Sequence, residues 1–411
     1  MPKRKSTAAV QGIAMLLALA VIVNIALVKS ADAISMYLGG ASVNEADLEY
    51  DSAACFEEGT KVASAIQEEG SVLLKNAGGL LPLDQGTKVS ILGAMSYNYV
   101  EGGTGSAGGG DDVNTVMMND AFTSAGLDVN EALWSWLEEA CGGSRGADSP
   151  YDGITASDWT GFKKIIEFSQ ATYAGAKAHI GAYSDYAVVT FSRSGAEGAS
   201  PAMDYDGDGS TLTGQSYLEL SQDERDLLVF CKENFAHTIV LINSSAVMEL
   251  GFLESEEYGV DACLWIGHPG EAGLLGVGNL LTGEANPSGR LVDTYAYDLS
   301  TAPSFYNNDN NRYTNMQDTE MYAYYQYEEG IYVGYRYYET ADAEGYFDSA
   351  AFKAAAYKND SRDASEGGDR DTVGGYANVV QFPFGYGLSY GSFSQVVASS
   401  SIPLEPHGTN T

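Results

Sequence analysis

A chain of 411 residues is long enough for two or three average domains, or for one large domain with additions. Its 21 Lys and Arg stand against 56 Asp and Glu, so the formal net charge is -35. Because such a surface repels phosphate backbones and anionic headgroups, we expect no nucleic-acid partner. A neutral ligand is indifferent to this field, and 28 Tyr and 48 Gly suit a loop-rich site with aromatic faces.

The amino terminus has the pattern of a membrane anchor or of an export signal. A basic stretch, residues 3–5, precedes an apolar run from about Ile13 to Val28. Such a run is long enough to span a bilayer, and the basic stretch predicts a cytoplasmic amino end. The small residues Ala31 and Ala33 also fit a cleavage site. Three interpretations stay open: an anchor in the cell membrane with the domain outside the cytoplasm, secretion after cleavage near Ala33, and a buried core helix.

Short apolar runs alternate with amphipathic ones through the middle of the chain. The apolar runs predict buried strands at Val89 to Met95, Ala187 to Phe191, Thr238 to Ile242 and Ala262 to Ile266. Helical spacing predicts helices over Phe162 to Ala178 and Gln222 to Phe235, the second opened by a capping box of Ser221 and Glu224. We therefore expect an α/β fold in which helices cover a largely parallel sheet, an α/β sandwich. The weak periodicity from about Ser304 to Tyr390 predicts long surface loops around a few strands.

The cysteines and histidines are scattered along the chain. No C-x-x-C pair occurs, so neither a zinc knuckle nor a redox motif is present, and we expect no metal site. Cys231 lies in a helical pattern and Cys263 in an apolar run, which favours buried free thiols over disulfides. The full set is Cys55, Cys141, Cys231 and Cys263, with His179, His237, His268 and His407.

A glycine-rich motif, Gly103 to Gly108, satisfies G-x-G-x-x-G, and Asp128 follows about twenty residues later. A dinucleotide fingerprint needs its first glycine at the end of the strand, where the phosphate meets the amino terminus of a helix. The apolar run before this motif ends near Met95, seven residues too early. We therefore interpret the motif as a mobile loop and expect no cofactor.

An acidic stretch from Asp204 to Gly209 matches the start of a calcium-binding loop. The twelfth position of that loop carries a bidentate glutamate in calcium-binding proteins, whereas this chain has Gln215. A weak calcium site and a solvated Asp-Gly turn both stay open, and the turn is favoured.

Four segments carry a resemblance to a known family. They are EEGSVLLKNAGGLLPL (Glu68 to Leu83), GHPGEAGLLGVGNLLTGEANPSGRL (Gly267 to Leu291), EEGIYVGYRYYE (Glu328 to Glu339) and FPFGYGLSY (Phe382 to Tyr390). In this order they resemble the carboxyl-terminal α/β sandwich domain of family 3 glycoside hydrolases, the beta-glucosidase group. The resemblance covers about Val62 to Tyr390. It implies an enzyme that hydrolyses O-glycosyl bonds in carbohydrate metabolism.

The resemblance also implies a general acid/base glutamate in this domain and an aspartate nucleophile in a separate barrel domain. Retaining glycosidases hold two such carboxyl groups about 5 to 5.5 Å apart. The position that matches the acid/base is Glu197, in the segment after the apolar run Ala187 to Phe191, and open α/β sheets place their sites at strand ends of this kind. Arg193 precedes it and is a candidate for binding the substrate or orienting Glu197. The alternatives are a solvated loop carboxylate and a structural arginine.

The nucleophile is not found in this chain. Residues 157–159, Ser-Asp-Trp, have the letters of the family's nucleophile motif, but they lie between a glycine-rich loop and a predicted helix. We interpret Ser157 or Asp158 as the cap of that helix. A barrel needs about 250 residues with an eightfold β/α pattern, which we do not find, so we expect the barrel to be absent from this chain.

The expected domain order is an anchor or signal over residues 1–34, a linker or helix over 35–61, the sandwich over 62–395 and a linker remnant over 396–411. Some family members carry the sandwich first behind a membrane segment, and this order is similar. We expect the chain to supply the acid/base domain of a beta-glucosidase-like hydrolase that acts on glycosides or oligosaccharides. A separate barrel polypeptide would complete the site. The alternatives are a noncatalytic, membrane-tethered domain that binds carbohydrate or protein, and a truncated inactive product.

Overall fold

The structure is a computed structural model, and it describes residues 15, 51–102, 115–143, 167–193, 216–307, 311–312, 323–324, 327–354 and 375–392. The chain divides into two compact units, Met1–Gly59 and Thr60–Thr411. Among the described residues, no helix combines the length and the apolar character needed to cross a bilayer. The predicted anchor over residues 1–34 lies outside them apart from Met15, so it stays a prediction.

Helices and strands alternate through the described residues. In chain order they are α1 (Ser52–Gly70), β1 (Val72–Asn76), β2 (Lys88–Leu92), α2 (Ala94–Tyr97), α3 (Met118–Ser124), β3 (Asp128–Val129), α4 (Glu131–Ala140), α5 (Gln170–Ile180), β4 (Tyr186–Arg193), α6 (Gln222–Asn234), β5 (His237–Ser244), β6 (Val260–Trp265), α7 (Leu274–Thr282), β7 (Tyr295–Ala296), α8 (Pro303–Asn307), β8 (Asn311–Arg312), β9 (Ala323–Tyr324), α9 (Tyr335–Ala343), α10 (Ala350–Ala354) and β10 (Val380–Phe382). Short 3-10 turns lie at Ala77–Gly79, Gly251–Glu254, Leu299–Thr301, Tyr346–Asp348 and Tyr376–Asn378.

One mixed sheet organises the main core, with its strands in the order β1-β6-β5-β4-β2-β3. Strands β2, β4, β5 and β6 run parallel, and β3 is parallel to β2. Helices α4 and α6 pack against β2 and β5. The predicted α/β fold is confirmed, and the sheet is mixed because edge strand β1 runs antiparallel to β6 while its other pairings are parallel.

The central strands β4 and β5 are buried almost throughout, which explains the apolar runs at their centres. The run predicted as a strand over Val89 to Met95 is wrong at its end. Strand β2 stops at Leu92, and Gly93 follows with a φ of 97°, a conformation that suits glycine. Helix α2 begins at the next residue.

Of the two predicted helices, one starts where the sequence predicts and the other does not. Helix α6 begins at Gln222 as predicted, and both hydrogen bonds of the capping box between Ser221 and Glu224 are present. Helix α5 begins only at Gln170, so the predicted start at Phe162 was wrong for the described residues 167–169. Ser169 directly precedes the helix with an extended backbone, and the buried side chain of Glu167 accepts from the amide of Ala94.

A second hydrophobic core lies in the region for which the sequence predicted surface loops. It packs helix α9 against α10, the Tyr346–Asp348 turn and strand β10, which pairs with β7. The buried members of this second core are Ala296, Ala302, Tyr338, Ala341, Phe347, Phe352, Val379 and Val380. The prediction of loops failed here because the aromatic residues are spaced irregularly and meet only through the tertiary fold.

The cysteines are free thiols. Cys141, Cys231 and Cys263 are buried and Cys55 is exposed. The prediction for Cys231 and Cys263 is therefore confirmed. Burial raises the pKa of the three buried thiols well above its usual range, which makes them poor nucleophiles.

Candidate functional site

The parallel strands bring several polar residues to one edge of the sheet. Because β2, β4, β5 and β6 run in the same direction, their carboxyl ends meet at this edge, which we call the carboxyl edge. Strand β4 ends there at Arg193 and β5 at Ser244, and the chain turns at Gly93 after β2 and at Gly267 after β6. Open α/β sheets bind ligands at such an edge, so it is the candidate site.

Arg193 is buried at the end of β4, and only 2% of the residue is exposed. Its guanidinium forms a bidentate pair with Glu224 of α6, with Nη1 2.8 Å from Oε1 and Nη2 2.9 Å from Oε2. Paired geometry of this kind gives short, strong and directional hydrogen bonds. Nη1 also donates to the carbonyl of Ser192, and the ring of Tyr217 lies 5.6 Å from the guanidinium carbon.

The same guanidinium joins the two ends of the segment that contains Glu197. Strand β4 ends at Arg193, and the described chain resumes at Ser216. Arg193 donates from Nε to the carbonyl of Tyr217 and from Nη2 to the carbonyl of Glu219. The end of β4 and the point where the described chain resumes before α6 are thus held together by one buried cation.

Asn243, at the end of β5, ties three other parts of the carboxyl edge together. Its Oδ1 accepts from the amide of Val100 at 2.7 Å and from the hydroxyl of Ser192 at 2.6 Å. Its Nδ2 donates to the carbonyls of Val100 at 2.9 Å and Gly267 at 2.6 Å. The amide is fully buried, so these bonds replace water completely.

The described residues on either side of the glycine-rich segment 103–114 also bond to this edge. Before it, the carbonyl of Glu101 accepts from the amide of Gly270 at 2.8 Å, and after it, the amide of Val116 donates to the carbonyl of Glu271 at 2.8 Å. Glu101 and Val116 therefore both bond to the loop that follows β6. In the same loop, Nε2 of His268 lies 3.2 Å from the carbonyl of Arg193, which requires a proton on Nε2.

A buried carboxyl group supports the end of β2. The two oxygens of Glu167 lie 3.0 and 3.1 Å from the amide of Ala94, and Oε1 also accepts from the amide of Phe168 at 2.7 Å and the hydroxyl of Tyr173 at 2.6 Å. Burial raises the pKa of Glu167 from its ordinary 4.5 to about 7, although these hydrogen bonds act in the opposite direction. The turn at Gly93 thus rests on a group that titrates near neutral pH.

The predicted site residues are only partly within the described structure. Arg193 is within it, and the partners given above are protein groups, so a direct contact with substrate stays a prediction. Glu197 lies outside the described residues, four residues beyond the end of β4. So do the Ser157 to Trp159 motif, the glycine-rich motif Gly103 to Gly108 and the acidic stretch Asp204 to Gly209 with Gln215.

No group of three or more His, Cys, Asp and Glu suited to a metal ion occurs in the part of the chain that the structure describes. Sequence reasoning missed Asn243, His268 and Glu167, and it recognised Glu224 only as a capping residue. A signal existed for Asn243, because it is the first polar residue after the apolar run Thr238 to Ile242. Glu224 carries no such signal, since its partner Arg193 is 31 residues away.

Comparisons with known proteins converge on one family. The sequence model of the glycosyl hydrolase family 3 C-terminal domain matches residues 71–335. A beta-glucosidase of Ruminococcus albus is 29% identical over 334 residues, which are 80% of this chain and 28% of that protein. Beta-glucosidase A of Butyrivibrio fibrisolvens is 27% identical over 345 residues, 79% of this chain and 34% of that protein.

Solved structures agree. A beta-glucosidase from Paenibacillus barengoltzii has a TM-score of 0.60 at 27% identity, over 82% of this chain and 30% of that one. Beta-glucosidase 3B from Thermotoga neapolitana, in complex with α-D-glucose, has a TM-score of 0.56 at 26% identity, over 81% of this chain and 38% of that one. The chain spans about a third of the length of these relatives.

Proposed function

This chain belongs to glycosyl hydrolase family 3, whose C-terminal domain it carries, and we propose that it supplies the general acid/base of a beta-glucosidase-type hydrolase. The observation that carries the proposal is the Arg193–Glu224 pair. A catalytic group must return to the same position in every turnover, and a loop is a poor support unless its ends are fixed. Here Arg193, buried and held in a bidentate pair with Glu224, also donates to the carbonyls of Tyr217 and Glu219, and so joins the two ends of the segment with Glu197 at the carboxyl edge.

The proposed chemistry needs two carboxyl groups on opposite sides of the glycosidic bond. A nucleophilic carboxylate attacks the anomeric carbon while Glu197 protonates the leaving oxygen, and Glu197 then removes a proton from the water that hydrolyses the glycosyl-enzyme. In this proposal the nucleophile comes from a barrel polypeptide that docks at the carboxyl edge. The substrate is a glycoside or an oligosaccharide.

The proposed location is outside the cytoplasm. The support is the order of the basic stretch, residues 3–5, and the apolar run over Ile13 to Val28, which fits either an anchor or a cleaved signal. Amino-terminal sequencing of the mature protein separates the two cases, because only cleavage near Ala33 removes the apolar run. A mature chain found intact in the cytoplasm would contradict both.

The test of the enzymatic role is a comparison of leaving groups. The full chain is assayed alone and together with any barrel polypeptide encoded beside it. Each preparation is given two substrates, an activated aryl β-glucoside and an alkyl β-glucoside with a poor leaving group. In Glu197→Gln we expect a loss of about 10²- to 10⁴-fold on the alkyl substrate and a much smaller loss on the aryl substrate, whose leaving group needs little protonation. The matched control is Glu256→Gln, an exposed glutamate, which should retain full activity.

Equal losses on both substrates would contradict the acid role of Glu197. Hydrolysis by the chain alone would mean that it contains a nucleophile, and Asp158 would be the first position to replace. No hydrolysis in either arrangement, from a folded protein, would reject the enzymatic proposal in favour of a noncatalytic binding domain or an inactive product.

A further inference from the structure

A pocket of about 360 Å³ opens beside helix α9. Its lining includes Tyr337, Thr340, Ala341 and Glu344, which recur at helical spacing and so occupy one face of α9 and the residue after it. The volume lies within the range of about 300–1,000 Å³ that is usual for small-molecule sites. We call this the α9 pocket. None of its lining residues belongs to the carboxyl edge.

The pocket is hollow because small side chains lie at its centre. Thr340 and Ala341 occupy the middle of the helix face, and Ala341 is buried in the second core. Larger rings stand around them: Tyr337 on the same helix, Tyr346 from the turn after it, and Tyr332 from the loop before it. Aromatic walls around small residues form a cleft instead of a flat helix surface.

Packing holds two of these rings in place. The hydroxyl of Tyr337 donates to the carbonyl of Thr301 at 2.9 Å, and its ring meets Phe347 edge to face at 6.1 Å. The ring of Tyr346 meets Phe352 edge to face at 5.5 Å. Because these rings are already ordered, a ligand that packs on them loses little side-chain entropy from the protein.

The charged side chains of the lining are Glu328, Glu329 and Glu344, and the lining contains no Lys, Arg or His. An anionic ligand would be repelled by these carboxylates and by the net charge of -35. Glu328 and Glu344 are exposed, so water and salt weaken their attraction for a cation. Carboxylate oxygens also accept hydrogen bonds from hydroxyl groups, and such charge-assisted bonds are short and strong.

We propose that the α9 pocket binds a neutral saccharide unit. The apolar C–H face of a sugar ring packs on Tyr332 or Tyr346, and its hydroxyl groups donate to the rim glutamates. The choice of a saccharide among neutral polyols rests on the proposed function, which makes glycosides the ligands of this chain. The pocket shares no lining residue with the carboxyl edge, so it is additional to the site there.

The test measures binding of cellobiose to the full chain by isothermal titration calorimetry, with tetramethylammonium as the cationic probe. The main variant is Tyr332→Ala, which removes a ring that is 46% exposed and therefore should not disturb folding. We expect its affinity for cellobiose to fall about tenfold or more. The matched control is Tyr327→Ala in the same loop, which removes a ring that is 79% exposed and outside the lining, and it should bind like the natural chain.

A second pair of measurements separates this site from the proposed active site. Glu197→Gln should retain cellobiose binding at the α9 pocket, and Tyr332→Ala should retain hydrolysis in the mixture with the barrel polypeptide. The proposal is overturned if the natural chain binds no cellobiose, if Tyr332→Ala binds it unchanged, or if tetramethylammonium binds and cellobiose does not. Loss of hydrolysis in Glu197→Gln together with unchanged cellobiose binding in Tyr332→Ala would support the enzymatic role and reject this pocket.

Discussion

The carboxyl edge and the α9 pocket hold their side chains by opposite means. At the edge, Arg193, Glu224 and Asn243 are buried. Arg193 and Glu224 bond directly to each other, and Asn243 bonds to the backbone of the neighbouring loop at Gly267. At the pocket, Tyr337 and Tyr346 are held by ring packing on the second core, and the carboxylates stand at an exposed rim. The first arrangement fixes position, and the second leaves room for a ligand to adapt.

This difference has an energetic consequence. A buried polar group that loses its partner keeps the full cost of its lost hydration, so each part of the edge depends on the others. Exposed carboxylates remain hydrated whether or not a neighbour is removed. Substitutions at the edge should therefore lower the free energy of unfolding strongly, and those near the pocket should lower it little. Three measurements test this expectation.

The largest effect is expected from Arg193→Met. Removing the guanidinium leaves the Glu224 carboxylate buried without its partner, so we expect the free energy of unfolding to fall by about 3–5 kcal/mol. Urea denaturation measures this loss. The matched control is Arg336→Met on α9, where the residue is exposed and the expected change is within about 0.5 kcal/mol. Similar losses in both variants would contradict the distinction between the two regions.

The next effect is a pH dependence due to Glu167. Folding raises its pKa from 4.5 to about 7, so between these values the unfolded chain loses the proton that the folded chain keeps. The stability of the natural protein relative to Glu167→Gln should therefore be greatest below pH 4.5 and should fall by about 3 kcal/mol as the pH rises to 7.

Urea denaturation of both proteins from pH 4 to 8 measures this difference. Comparing the two cancels the titration of the other carboxylates, which both chains share. A difference that stays constant across this range would mean that folding does not shift the pKa of Glu167, and the turn at Gly93 would then rest on an ionised group at neutral pH.

The smallest of the three effects is expected from Asn243→Ala. The substitution leaves the hydroxyl of Ser192 without its acceptor, and the amide and carbonyl of Val100 without their partners. We expect the free energy of unfolding to fall by about 2–3 kcal/mol. Ser192→Ala removes only one of these contacts and should cost about 1 kcal/mol. If Asn243→Ala costs no more than Ser192→Ala, the amide does not join the loops of the edge, and the proposed rigidity of the site is wrong.

The match to the family adds a second contrast. It covers residues 71–335, which include the sheet and the carboxyl edge, whereas five of the nine lining residues of the α9 pocket lie after it. The proposed activity at the edge can therefore be compared directly with that of the beta-glucosidases of the family. The proposed binding at the pocket is tested on this chain itself.

Local pattern was sufficient for the central strands of the sheet and for the start of one helix. The apolar runs at Ala187 to Phe191 and Thr238 to Ile242 identified β4 and β5, because a parallel strand buried on both faces is apolar at most of its central positions. The Ser221 and Glu224 pair identified the start of α6, because a capping box involves only four consecutive residues. Such signals are short-range, and a sequence displays them directly.

The tertiary structure alone decided how the candidate site is held. In the sequence Glu224 is recognisable only as part of a capping box, yet it also neutralises Arg193, which lies 31 residues earlier. Asn243 bonds to Val100, which lies 143 residues earlier. The second core joins Ala296 to Val380 with no periodic pattern between them. The sequence by itself determined the strands, one helix start and the resemblance to a family. The partners of the buried polar groups depend on which loops the sheet brings to one edge, and no local pattern contains that information.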